Sequence, residues 1–309
     1  MAVTFGWGCL SQLPTLLKGR RAVVITFPQA RDTGLLGSLQ TLLGSQLAGV
    51  IDDVQPNPEL SWITERYAQF WRQYADCVVV AAGGGSVIDS AKMFLPGVAS
   101  GDFHEIHAAL AQSQAPTVQR ALPMIAIPTT AGTGSECQSA ALIADEATHH
   151  KMACLDPKAA ARIALLDPEL TLSQPRRVTA LTGLDALVHA VESAVTTRRT
   201  VWSSMFSREA FRLCAGALET VLRWPDDLEA RGRMLLGAAL AGTAIENSML
   251  GAAHSAANPL TAHFGIVHGA AVGLMIPQVI RFNAADPEVR GIYADLAATA
   301  GWTSPDVSP

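Results

Sequence analysis

Residues 77–94 read Cys77-Val-Val-Val-Ala-Ala-Gly-Gly-Gly-Ser-Val-Ile-Asp-Ser-Ala-Lys-Met-Phe94: an apolar β-type run, a glycine turn and a helix-spaced run in immediate succession. Similar short apolar runs stand at 22–27, 47–51 and 124–127, with helix-like segments between them. That rhythm predicts βαβ units around a buried parallel sheet. Between the second and third runs, residues 57–74 have helical spacing, and Pro58 is expected in that helix's first turn. Residues 163–166 form one more β-type run. From Asp167-Pro168 onward Ala, Leu and Arg recur at helical spacing, so the expected division is an α/β domain at 1–167 and an all-helical domain at 168–309.

The whole chain has 309 residues, 49% apolar and 16% charged, with 22 Lys+Arg against 27 Asp+Glu and a net charge of −5. It is too apolar for disorder, and its charged fraction lies below the roughly 25% usual for soluble chains, so part of its surface is expected to face a second copy. Nucleic acid and anionic membrane surfaces need clustered positive charge, and this chain has no Lys/Arg run. No uninterrupted apolar stretch reaches the ~20 residues of a membrane span, and the first residues lack a signal peptide's pattern. A cytoplasmic protein with a small-molecule partner is expected. The five cysteines are scattered and never spaced C-x-x-C, which suggests neither a disulfide framework nor a thiolate metal site.

Two loops carry candidate chemistry in the first half. Gly83-Gly84-Gly85-Ser86 lets backbone approach a phosphate at a helix N-terminus, although a tight strand-to-helix turn has the same composition. Pro128-Thr-Thr-Ala-Gly-Thr-Gly-Ser-Glu136 follows the next strand and is expected at the same carboxyl edge of the sheet, where open α/β sheets bind ligands. Two such loops on successive strands suggest a nucleotide.

In the second half, Asp185 and His189 are four apart in Gly183-Leu-Asp-Ala-Leu-Val-His-Ala-Val-Glu192, and so share a helical face. Alone they read as a surface pair or a packed core histidine rather than a metal site. Together with His254, His263 and His268 they make a candidate first shell for Fe²⁺ or Zn²⁺. His263 itself is read as a packing or surface residue. The rival set Asp102, His104, Glu105 and His107 is read as a solvated loop entering a helix, and His149-His150 as a turn between two β segments.

Five ordered motifs, Gly83-Gly84-Gly85-Ser86 with Asp89 and Lys92, residues 128–136, Asp167-Pro-Glu-Leu170, residues 183–189 and residues 254–269, make the chain resemble the iron-containing (group III) alcohol dehydrogenases. The resemblance implies a dehydroquinate synthase-like architecture: a dinucleotide-binding α/β domain, an all-helical C-terminal domain and an active site in the cleft between them. It implies hydride transfer between NAD or NADP and a small aldehyde or primary alcohol, in a homodimer. Carried over position by position, the metal ligands fall on Asp185, His189, His254 and His268. The phosphate loop falls on Gly84, Gly85 and Ser86, and further cofactor contacts on Asp89, Thr129, Thr130, Thr133 and Lys151.

The chain departs from the family pattern at four places. Asn258 stands where many members have a histidine, which removes a proton relay. Thr26-Phe27-Pro28-Gln29 replaces the acidic residue that NAD-preferring members often place after the first strand, which admits NADP, with Asp32 and Asp53 as remaining discriminators. Ala140 replaces a polar cofactor contact. The sequence ends at Pro309, short of the family's last helices. A non-catalytic or metal-independent dinucleotide-binding relative is the alternative that these departures leave open.

Overall fold

The computed structural model of the chain describes residues 1–111, 117–145 and 150–302. The chain forms two compact units, one of residues 1–129 with 135–173, the other of residues 130–134 with 174–309.

Along the first unit run β1 (Ala2–Phe5), α1 (Leu13–Leu16), β2 (Ala22–Ile25), α2 (Leu35–Leu43), β3 (Leu47–Ile51), α3 (Leu60–Tyr74), β4 (Val78–Gly83) and α4 (Gly85–Phe94). They are followed by β5 (Pro96–Gly97), α5 (Phe103–Ala111), β6 (Arg120–Ala121), β7 (Met124–Pro128), β8 (Ala140–Asp145), β9 (His150–Leu155) and β10 (Ile163–Leu166). Among the described residues, six strands form one sheet in the order β1-β10-β7-β4-β2-β3, every pair parallel. Successive side chains of a strand point to opposite faces, and both faces here are covered. Val79 and Ala81 of β4 join Val23, Ile25, Met124 and Ala126 in one core. Val78, Val80 and Ala82 join Val24, Ile125 and Ile127 in the other. That double burial is why the strands read as continuous apolar runs rather than alternating ones.

Two local features differ from the sequence reading. Pro58 lies before α3, whose cap is Glu59, because the Pro58 carbonyl accepts the Ala144 N–H at 2.8 Å and holds residues 58 and 59 extended beside β8. β8 and β9 pair as an antiparallel ribbon, as two β segments joined by a turn would, but His150, expected in that turn, is the first residue of β9 and is in register with Asp145; His149 lies outside the described residues.

The second unit contains, among the described residues, α6 (Arg176–Val195), α7 (Val201–Arg223), α8 (Leu228–Glu246), α9 (Ala252–Phe264), α10 (His268–Asn283) and α11 (Pro287–Thr299). Three of these helices start on side-chain caps. Thr200 and Ser203 form a reciprocal box at α7, Asp227 accepts from Ala230 N–H at α8, and Asp286 accepts from Glu288 and Val289 N–H at α11. Small residues let α7 and α8 approach: a Cβ on Gly237 would lie 2.5 Å from Cys214 Sγ. α6 reaches the length and mean hydropathy of a membrane span, yet it carries buried Asp185, His189 and Glu192 and is the core helix of its unit. Residues 130–134 pack here because a Cβ-less backbone is required twice. A Cβ on Gly132 would meet Thr182 at 2.5 Å, and one on Gly242 would meet the Gly134 carbonyl oxygen at 2.3 Å.

Candidate metal and cofactor sites

α6 presents Asp185 and His189 one turn apart, α9 contributes His254 from its first turn, and His268 is the first residue of α10. The Nε2 atoms of His189 and His254 each lie 3.5 Å from Asp185 Oδ1, and that of His268 lies 3.7 Å away. The rings of His189 and His254 stack at 4.6 Å between centroids, 16° from parallel. Asp185, His189 and His254 are each about 5% exposed; the His268 side chain is 22% exposed. Asp185 Oδ1 and His254 Nε2 are buried polar atoms with no hydrogen-bond partner, an arrangement that costs free energy unless something else satisfies them.

A cation satisfies them. Ligands about 2.1 Å from a four-coordinate ion stand roughly 3.4 Å from one another, and the spacings observed around Asp185 Oδ1 match that. Among the described residues this is the one cluster of three or more metal-type side chains within reach of a common point. One carboxylate with imidazoles suits Fe²⁺ and Zn²⁺ alike.

Electrostatics bind the cluster together. Burial opposes charge on Asp185, but the three imidazoles overcome it and hold the carboxyl well below its ordinary range. Burial pushes His189 down to about 4 against the pull of Asp185. Burial also opposes charge on His254, and there the carboxylates of Asp185 and Glu192 win, raising it to about 9. Glu192 is 2% exposed, and the same balance of burial against His254 and two backbone N–H donors holds it below the usual carboxylate range. It was quoted in the sequence only as the end of a motif. The signal was present: residues 185, 189 and 192 fall on one stripe of a helix, so a carboxylate at 192 shares the face of the other two.

The other members of the two sets separate cleanly. Asn258 is half-buried one turn beyond His254, and His263 is exposed in the last turn of α9. Asp102 accepts from His104 N–H at 2.9 Å and Ser100 Oγ donates to Glu105 at 2.7 Å, the hydrogen bonding of a helix entry.

In the first unit, Gly84 caps α4 with no side chain over the helix end, so the first amides of a ten-residue helix face outward from the carboxyl end of β4. A Cβ on Gly83 would lie 2.6 Å from Val87 Cγ2, which accounts for glycine at the strand end. Ser86 Oγ accepts from Asn57 N–H at 3.2 Å. Thr129 N–H donates to the Gly83 carbonyl at 3.0 Å, tying the loop after β7 to the glycine turn, as expected of two loops on one sheet edge. Asp89 faces protein: it accepts from Lys92 Nζ at 3.3 Å, from Leu142 N–H at 3.0 Å and from Ser135 Oγ. Lys92 is fully buried and also donates to Ser135 Oγ at 2.7 Å and to the Ala140 carbonyl at 2.5 Å. Thr130 and Thr133 are half-buried in the segment that packs with the helical unit. Lys151 lies in β9, and its side chain falls outside the described residues.

The family model for iron-containing alcohol dehydrogenase matches residues 1–168, and that for the C-terminal part of the same family matches residues 179–305. The chain belongs to the iron-containing alcohol dehydrogenase family. It is 32% identical over 302 residues to alcohol dehydrogenase 4 of Schizosaccharomyces pombe, covering 96% of this chain and 70% of that one. It is 31% identical over 302 residues to lactaldehyde reductase of Escherichia coli K12, covering 96% and 77%. Among solved structures, sulfoacetaldehyde reductase of Bifidobacterium kashiwanohense in complex with NAD⁺ superposes with a TM-score of 0.86 at 26% identity, covering 97% of this chain and 84% of that one. As a member of the iron-containing alcohol dehydrogenase family the chain is an oxidoreductase.

Proposed function

We propose that the chain reversibly reduces a small aldehyde to a primary alcohol with NAD(P)H, holding one divalent ion on Asp185, His189, His254 and His268. The observation that carries this reading is the convergence of three imidazole Nε2 atoms on Asp185 Oδ1 within 3.7 Å, with Asp185 Oδ1 and His254 Nε2 otherwise unsatisfied. A divalent ion held there supplies Lewis-acid polarisation of a substrate oxygen, and a bound nicotinamide supplies the hydride. The residues of this chain do the rest. The Asp185 carboxylate offsets part of the ion's charge, and the imidazoles, fixed on three helices, set its position. Gly84, Gly85 and Ser86 offer the amides of α4 to a phosphate, Thr129, Thr130 and Thr133 line the second loop, and Lys151 follows on β9. Asp89 and Lys92 support that loop from behind.

Both NADH and NADPH are proposed as donors. The Thr26 hydroxyl after β2 is occupied by the Ala82 carbonyl at 2.7 Å, while Asp53 pairs with Arg66 at 2.7 Å and Asp52 with Arg31. Asp53, one of the two discriminators that the sequence leaves, is therefore committed to an arginine rather than free to oppose a 2′-phosphate. A homodimer is proposed on the exposed apolar row Val3, Phe5 and Trp7 at the edge strand. A cytoplasmic location is supported by five cysteines, all buried and outside any disulfide.

The test is metal content after anaerobic purification, for the parent and for His268→Ala. The expected outcome is about one iron or zinc per parent chain, loss of it in the variant, and loss of NAD(P)H oxidation across an aldehyde panel. Equal metal content in parent and variant would overturn the assignment.

A further inference from the structure

Glu192 sits two turns along α6 from Asp185, and both of its oxygens are committed. Oε1 accepts the Ala253 N–H at 2.6 Å; Oε2 accepts the His254 N–H at 3.2 Å and lies 2.6 Å from His254 Nδ1. The helix that carries His254 begins at Ala252 with Gly251 as its cap and no side-chain cap of its own. Glu192 therefore supplies, from another helix, the acceptors that the first amides of α9 need. The space for it comes from Gly251, where a Cβ would lie 2.8 Å from Glu192 Oε1.

We infer that Glu192 is the positioning residue of the metal site: it fixes the proton of the His254 ring on Nδ1 and so commits Nε2, 3.5 Å from Asp185 Oδ1, to the ion. The inference rests on the metal reading above. An ionised carboxylate only accepts, so a 2.6 Å contact to Nδ1 requires the proton on that nitrogen. The same side chain that orients the ring also anchors the backbone that carries it, because the His254 N–H is held by the same oxygen as its ring. Ring orientation and helix start cannot drift independently.

Glu192→Gln tests the inference because a carboxamide has one accepting oxygen for three donors. With that oxygen at Oε2, its NH₂ opposes the Ala253 N–H; with it at Oε1, the NH₂ faces Nδ1 and drives the ring proton to Nε2. The probe is Zn²⁺ alone, titrated into the metal-free full chain against a competing chelator. The expected result is an affinity lower by about 10–100-fold, together with loss, in the Zn²⁺-loaded protein, of a downfield hydrogen-bonded Nδ1–H resonance in ¹⁵N-histidine-labelled spectra. A helix cap alone would lower thermal stability and leave that resonance in place. Gly251→Ala displaces the carboxylate without altering its charge and decides the matter if Glu192→Gln does not fold; an affinity loss of about tenfold is expected. A parent that binds Zn²⁺ while both variants bind it equally well and keep the resonance overturns this inference alone. A parent that binds no Zn²⁺ overturns the metal reading and this inference with it.

Discussion

Glu136 ends the second polar loop, is 2% exposed, and has its carboxyl pushed up by burial to about 7, with the Lys92 charge opposing and Asp89 reinforcing. A folded-state value above the unfolded 4.5 means that the native chain holds this proton more tightly than the unfolded one. Its contribution to stability is whole below pH 4.5 and is lost as pH rises through 7, a difference of roughly 3 kcal/mol by linkage. Glu136→Gln mimics the protonated form and is expected to unfold at nearly the same urea concentration as the parent at pH 4 and at a higher one at pH 8. Identical midpoints at pH 8 would contradict it. Residues of this kind mark the limit of sequence reading. Asp185, His189, His254 and His268 were legible because their side-chain types are scarce in an apolar half and their chemistry is shared. Glu136 and Glu192 are ordinary residues whose meaning comes from being buried, and burial is decided by elements far away in the chain.

At the scale of elements, the four apolar runs before residue 130 were legible as strands because both sheet faces are covered, and the glycine turn after β4 because only a residue without Cβ fits 2.6 Å from Val87. The start of α3 was misjudged because the Pro58 carbonyl is engaged by Ala144, 86 positions on, and a propensity argument sees only neighbours. The α4 N-terminus yields a direct test. Gly85→Val adds a β-branched side chain at the first helical residue, where a phosphate is proposed to meet backbone amides. NADH affinity measured by fluorescence titration is expected to fall by at least tenfold, about 1.4 kcal/mol, with metal content unchanged. Unaltered affinity would remove the loop from the cofactor site.

At the scale of the molecule, the proposed self-association rests on the edge strand: Val3 and Phe5 alternate on β1, with Trp7 beyond them, 50%, 40% and 54% exposed. Exposed apolar edge strands invite pairing with another chain unless blocked by charge, and no charged residue occurs among the first 17. Phe5→Asp is expected to shift sedimentation from dimer to monomer at micromolar concentration. A parent that sediments as a monomer would refute the proposed self-association.

The excursion of residues 130–134 has a consequence for dissection. The polypeptide passes from one unit to the other three times, at 129–130, 134–135 and 173–174, so no single cut yields both halves whole. A fragment starting at residue 174 would leave Thr182, Ala238 and Gly242 without the five residues that cover them, and the α/β fragment would carry those five residues with nothing to seat them. Interchange of halves between relatives therefore has to exchange the excursion along with the helices, or supply it twice.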